Sequence, residues 1–250
     1  MSGAEMKERI TETSPRFKAR IAGGLWLIVI VSGMSAFLIR SPLIVRGDAA
    51  ATATNILASE SLFRFGFAAD LMAGVFYLGV TVLLYRLLKP VSRSVSLLAA
   101  FFGLAGVAIG SAISLTNLAT LVLLGDGQYS SAFTTSQLQT MALMSLKLYV
   151  QGFNISMAFF GFQCFLIGCL IVRSTFLPRI LGVLLAIGGS SYVISSFATF
   201  LAPAFGARLA PFIVPAALLG EGSLTLWLLI KGVNVQRWKE QASAARERRS

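Results

Sequence analysis

Apolar residues gather along this chain into six long runs, at about 19–39, 62–88, 95–124, 149–172, 177–201 and 209–230. Each reaches or exceeds the roughly 20 residues that carry a helix across hydrocarbon. Strict alternation at period two, the mark of a spanning barrel, is absent. Helices satisfy their backbone groups internally, as a bilayer demands. The pattern predicts an all-α, polytopic membrane bundle of six transmembrane helices over 19–232. A polar segment, 1–18, precedes it and a basic tail, 233–250, follows.

The connections carry their own signals. The first run has a basic start and small residues around Ser32 to Ala36, which is also how a signal peptide reads. Its length and the spans that follow favour a retained helix. The segment from Arg40 to Leu62 is too polar to span, and its Ala/Leu-rich centre predicts a short helix lying at the interface. Ser59 or Ser61 is placed to cap the next helix, with Glu60 near its positive end. A second polar loop covers 125–135, and from Ser136 a helix is expected through Val172, amphipathic in its first turns. A loop rich in Ala and Pro precedes the sixth run.

Charge sets the orientation. Of the 21 Lys and Arg residues, five lie on one side of the spans: Arg40, Arg46, Arg64, Lys147 and Arg208. The other sixteen flank the first run, fill the turns at 86–93 and 173–179, or lie from Lys231 onward. The positive-inside rule then puts both termini in the cytoplasm, with the protein in the cytoplasmic (inner) membrane.

Composition narrows the chemistry. Hydrophobic residues make up 56% and charged ones 12%, about half the charged share of a soluble domain. The net charge of +11 follows the span flanks, so the lipid bilayer rather than nucleic acid is the expected partner. There is no histidine, which removes His-ligated haem and zinc and the Ser-His and Cys-His catalytic pairs. Cys164 and Cys169 point in different directions on one helix, so they read as packing residues. No metal site or cofactor is indicated. Neither a phosphate-cradling Gly-Lys-Ser/Thr loop nor a Gly-x-Ser-x-Gly elbow occurs, and no residue is nominated as catalytic.

Two lone acids, Asp70 and Glu221, sit inside apolar runs, where an unpartnered carboxylate is costly. At 1.5 Å per helical residue, Asp70 lies roughly 10–12 Å from the outer surface and Glu221 about 18 Å. Asn117 falls near the depth of Asp70, with Gln151 and Asn154 above it and Lys147 at the interface. Ser195, Ser196 and Thr199 add to the polar outer half. These groups outline a pocket open to the outside, with Asp70 on its wall, Glu221 toward its floor, and Lys147 or Arg64 available to neutralise Asp70. Pro215 marks a kink close to Glu221. Gly106, Gly110 and Ser114 form a small-residue stripe for helix packing. Gly188 and Gly189 are expected to loosen their helix. Arg46-Gly47-Asp48 spells an adhesion triplet, and Arg-Ile-x-Gly opens both the first and fifth runs.

Three classes of function stay open. The preferred one is a small molecule or ion handled through the outward-facing polar pocket. A structural or partner-binding subunit would use the same acids as interhelical glue. A membrane-embedded lipid-modifying enzyme would need a nucleophile or acid near lipid, and the different depths of Asp70 and Glu221 argue against a carboxylate pair.

The stretches GDAAATATNILASESLFRFGFAAD (47–70), FLPRILGVLL (176–185) and LLGEGSLTLWLLIKGV (218–233) resemble a bacterial membrane family, domain of unknown function 4386. The likeness covers about residues 17–238. It implies a six-helix integral membrane protein and brings no activity. By that resemblance Asp70 and Glu221 match acidic positions, while Gln163 stands where relatives have His.

Overall fold

The computed structural model describes residues 14–125 and 132–247, and within these every regular element is helical. The polar segment 1–13, most of the second polar loop and the last three residues lie outside the described residues, and with them Lys7, Arg9, Arg248 and Arg249. The helices are α1 (Pro15–Arg40), α2 (Ala49–Ala58), α3 (Glu60–Leu88), α4 (Arg93–Ile113), α5 (Leu115–Leu124), α6 (Thr135–Arg173), α7 (Arg179–Leu201), α8 (Pro203–Ala217), α9 (Ser223–Ile230) and α10 (Val235–Glu247). A π-helical turn, Leu218–Gly222, joins α8 to α9.

Five helical units are long and apolar enough to cross a membrane: α1 with its short 3₁₀ extension, α3, α4 with α5, α6, and α7. The sixth is a bent pair, Pro203–Ile213 and Pro215–Ile230, meeting at 44°. Helix begins already at Pro203, where a loop is expected from the Ala- and Pro-rich sequence. The third span is also interrupted. At Ser114 the hydroxyl donates to the Gly110 carbonyl at 2.8 Å, a back-bond that competes with the helical ladder. α6 has 39 residues and is about 58 Å long, so it extends well beyond a ~30 Å hydrocarbon core.

Helix starts follow their sequences. Thr134 and Gln137 form a reciprocal capping box at α6, the Thr134 hydroxyl accepting from the Gln137 N–H at 3.3 Å and the Gln137 side chain from the Thr134 N–H at 2.8 Å. Asp48 caps α2 by accepting from the Ala51 N–H at 2.8 Å, and Gly47 beside it takes φ +79°. The adhesion-like triplet is thus a helix-entry turn. Ser59 occupies the cap position of α3 without a side-chain cap.

The spans form a closed ring. α1 packs on α3, α3 on α4, α4 on α6, α6 on α7, α7 on α8 and the π turn, and α9 returns to α1. Small residues bring these helices close. A Cβ on Gly161 would lie 2.7 Å from the Gly189 carbonyl, and one on Gly168 2.6 Å from that of Gly182. The relation is reciprocal, so two glycines of α6 and two of α7 form one seam. Gly188 faces the Ala216 carbonyl in the same way. Gly188 and Gly189 therefore tighten an interface, where the sequence alone suggests a loosened helix.

Outward faces carry large exposed apolar side chains, among them Val75, Phe101, Leu104, Ile187 and Leu226. An apolar surface of this extent matches lipid rather than water. Inside, one core cluster surrounds Trp26, Tyr77, Leu84, Ile167, Leu224 and Leu228. A smaller one gathers Leu43, Ile56, Phe63, Leu121 and Leu146. At the end nearer the termini, Trp238 of α10 donates to the Leu87 carbonyl at 2.8 Å. Both cysteines are free, with Cys164 buried.

Candidate functional site

A cavity of about 480 Å³ occupies the middle of the ring and touches all six spans. Its size lies within the range of small-molecule sites. Most of its wall is apolar, supplied by residues such as Val29, Phe37, Val107 and Met157. Two polar groups interrupt that wall, and each contains one of the intramembrane acids.

The first joins three spans. Arg40, the last residue of α1, donates through Nη1 to Asp70 Oδ2 on α3 at 2.5 Å. The Tyr149 hydroxyl on α6 donates to the same carboxylate oxygen at 2.9 Å. Arg40 Nη2 donates to the Tyr149 hydroxyl at 3.1 Å, and its guanidinium lies 4.5 Å from the Tyr149 ring centre. The ion pair is sheltered, with side chains only 10% and 15% exposed. Each charge thus has a charged and a hydroxyl partner, which is what a desolvated pair needs.

The second is built around Glu221. The π turn opens the helix one residue wider than an α turn, and Glu221 projects from that turn into the cavity. The indole N–H of buried Trp26 donates to Glu221 Oε2 at 3.1 Å. Tyr192 of α7 lies beside the same carboxyl group. Tyr77 stacks edge-on between Trp26 and Phe160, with ring centres at 6.2 and 4.8 Å. Tyr77, Phe160 and Tyr192 all line the cavity.

The sequence-nominated residues separate into three groups. Asp70, Glu221 and Asn154 line the one cavity, and so do Gly106, Gly110 and Ser114. The stripe also packs: a Cβ on Gly106 would meet the Phe160 ring at 2.9 Å, and the Ser156 hydroxyl donates to the Gly106 carbonyl at 2.8 Å. Arg64 does not neutralise Asp70, because it pairs with Glu60 one turn away at 2.7 Å on the surface. Lys147 and Gln151 are exposed and lie off the cavity wall. Asn117 is fully buried outside the cavity, on α5, which packs against α6. Gln163 is buried against Gly103 and donates to the Thr81 hydroxyl at 3.2 Å.

Nothing in the sequence singles out Arg40, Tyr149, Tyr192 or Trp26. Arg40 and Tyr149 sit near span ends, where Arg and Tyr are ordinary interface anchors. Among the described residues no three His, Cys, Asp or Glu side chains come together as a metal site.

A ring of apolar helices around a central cavity with two polar ends defines a multi-pass helical membrane protein. The chain belongs to the family described as domain of unknown function (DUF4386), whose model matches residues 21–232. A protein of Archaeoglobus fulgidus, described as uncharacterized, is 28% identical over 153 residues, covering 61% of this chain and 75% of that one. No solved structure matches the chain.

Proposed function

We propose that the protein binds a small molecule in the central cavity, as a membrane transporter of that ligand. The observation that carries this reading is that Asp70 and Glu221, the two acids buried in the spans, open onto one cavity of about 480 Å³. Acids held at membrane depth are retained for a task unless they only glue helices. Asp70 has a structural share in this, because its pair with Arg40 and Tyr149 ties three spans at one end of the site. Glu221 is the working group, since its partners leave it facing open space.

The proposed setting is the cytoplasmic membrane with both termini inside, supported by the placement of basic residues at the span ends. A protease-sensitive tag at either terminus should be cut in inverted vesicles and protected in intact spheroplasts.

Gly33 gives a direct test of the cavity. It lines the space, and a Cβ built there meets nothing within 4 Å. Gly33→Trp should fill the cavity while sparing helix contacts. In nanodiscs, at least one compound from a mixed panel of amphipathic cations, anions and neutrals should raise the melting temperature of the wild type and not of the filled variant. A panel without effect, or with equal effect on both proteins, rejects the reading.

A further inference from the structure

Resting on the reading of the cavity as a ligand site, we propose that its ligand is an amphipathic organic cation, an onium ion with an apolar body. The charged head sits against Glu221, between Tyr77, Phe160 and Tyr192.

The argument begins with charge. Among the described residues, the cavity wall holds two carboxylates and one guanidinium. That guanidinium is committed, because Arg40 spends one nitrogen on Asp70 and another on the Tyr149 hydroxyl. Among the described residues, the donor to Glu221 is the neutral Trp26 indole at 3.1 Å, and its neighbour Tyr192 is neutral too. The Glu221 carboxyl is therefore left without a cation in a largely apolar space, and a ligand bringing a positive charge would balance its ionised form.

The surroundings select the kind of cation. Tyr77, Phe160 and Tyr192 bring aromatic rings to the same end of the cavity as Glu221. Aromatic rings attract alkylated ammonium groups, which shed water cheaply. A hard metal ion instead needs several oxygen ligands, and no group of three acidic, Cys or His side chains is present among the described residues. The rest of the wall, with Val29, Phe37, Val107 and Met157, suits a hydrocarbon body.

The probes are tetraphenylphosphonium, its shape-matched anion tetraphenylborate, and neutral triphenylphosphine oxide. Binding to the full chain in nanodiscs is measured by equilibrium dialysis, with the Gly33→Trp protein subtracting partition into lipid. The cation should bind at least about tenfold more tightly than the anion, as expected where opposite charges meet in a space of low dielectric. Glu221→Gln keeps an acceptor for Trp26 and removes the charge, so it should lose about tenfold or more in cation affinity while anion binding holds or improves. Equal affinity for cation and anion overturns the proposal, as does cation binding unchanged by Glu221→Gln. If the borate or the oxide binds in a Gly33→Trp-sensitive way without a preference for the cation, the cavity reading stands and the cation assignment falls. If no probe is sensitive to Gly33→Trp, both fall. Should Glu221→Gln fail to fold, the wild-type ratio of cation to anion decides the matter alone.

Discussion

Arg40 reaches from the end of α1 to Asp70 inside α3, donating to Oδ2 at 2.5 Å, and so the acid that sequence leaves alone is half of an ion pair. Breaking a sheltered pair strands one charge in a medium that solvates it poorly. Asp70→Asn and Arg40→Gln should each destabilise the protein by about 3–5 kcal/mol. Replacing both together should cost far less than the sum of the two. Unfolding in mixed micelles, analysed as a double-mutant cycle, measures the coupling. Additive losses would mean that the pair contributes no mutual stabilisation.

Tyr149 ties this pair to α6 through a hydroxyl that donates to Asp70 and accepts from Arg40. Tyr149→Phe keeps the ring under the guanidinium and removes both bonds. The expected loss is about 1–3 kcal/mol, since the hydroxyl serves charged partners. Tyr149→Leu removes the ring as well and should cost more. Equal melting temperatures for the Phe variant and the wild type would show that the hydroxyl is dispensable.

How much of this was legible in the sequence depended on which interactions were local. Length and apolarity set out the spans, because a bilayer imposes those on any helix crossing it. Glu221 and Asp70 stood out because an acid among apolar residues has few ordinary explanations. Arg40 did not stand out, because a basic residue closing an apolar run looks like an anchor until its neighbour is known. The break at Ser114 was equally hidden. A one-residue interruption leaves no mark in an apolar run, and neither does the burial of Asn117 away from the cavity. The π turn around Glu221 left only an indirect trace, in Pro215 and the flanking glycines. The α6–α7 glycines were readable in principle, because Gly161 and Gly168 share the spacing of Gly182 and Gly189 across a short turn.

That seam makes a sharp prediction about packing. A methyl on Gly189 would lie 2.6 Å from the Gly161 carbonyl and the Phe165 nitrogen, both backbone atoms. Neither can yield without moving a helix. Gly189→Ala should therefore cost about 1–3 kcal/mol by overpacking. Gly33→Ala, with open space around its Cβ, should be close to neutral. Chemical denaturation of the two variants side by side gives the contrast, and similar stabilities would refute the tight seam.

The sequence places Asn117 and Asn154 in one polar pocket, and the structure separates them. Asn154 lines the cavity, whereas Asn117 is fully buried away from it. In a background carrying Cys164→Ala and Cys169→Ala, Asn154→Cys should react readily with a small methanethiosulfonate cation. Asn117→Cys should stay protected until the protein unfolds. Prior filling with Gly33→Trp should slow the reaction at position 154 and leave position 117 unchanged. Mass spectrometry of timed aliquots reads both rates. Equal labelling of the two positions would contradict the separation, and labelling of 154 indifferent to the filled cavity would show that the reagent reaches it by another path.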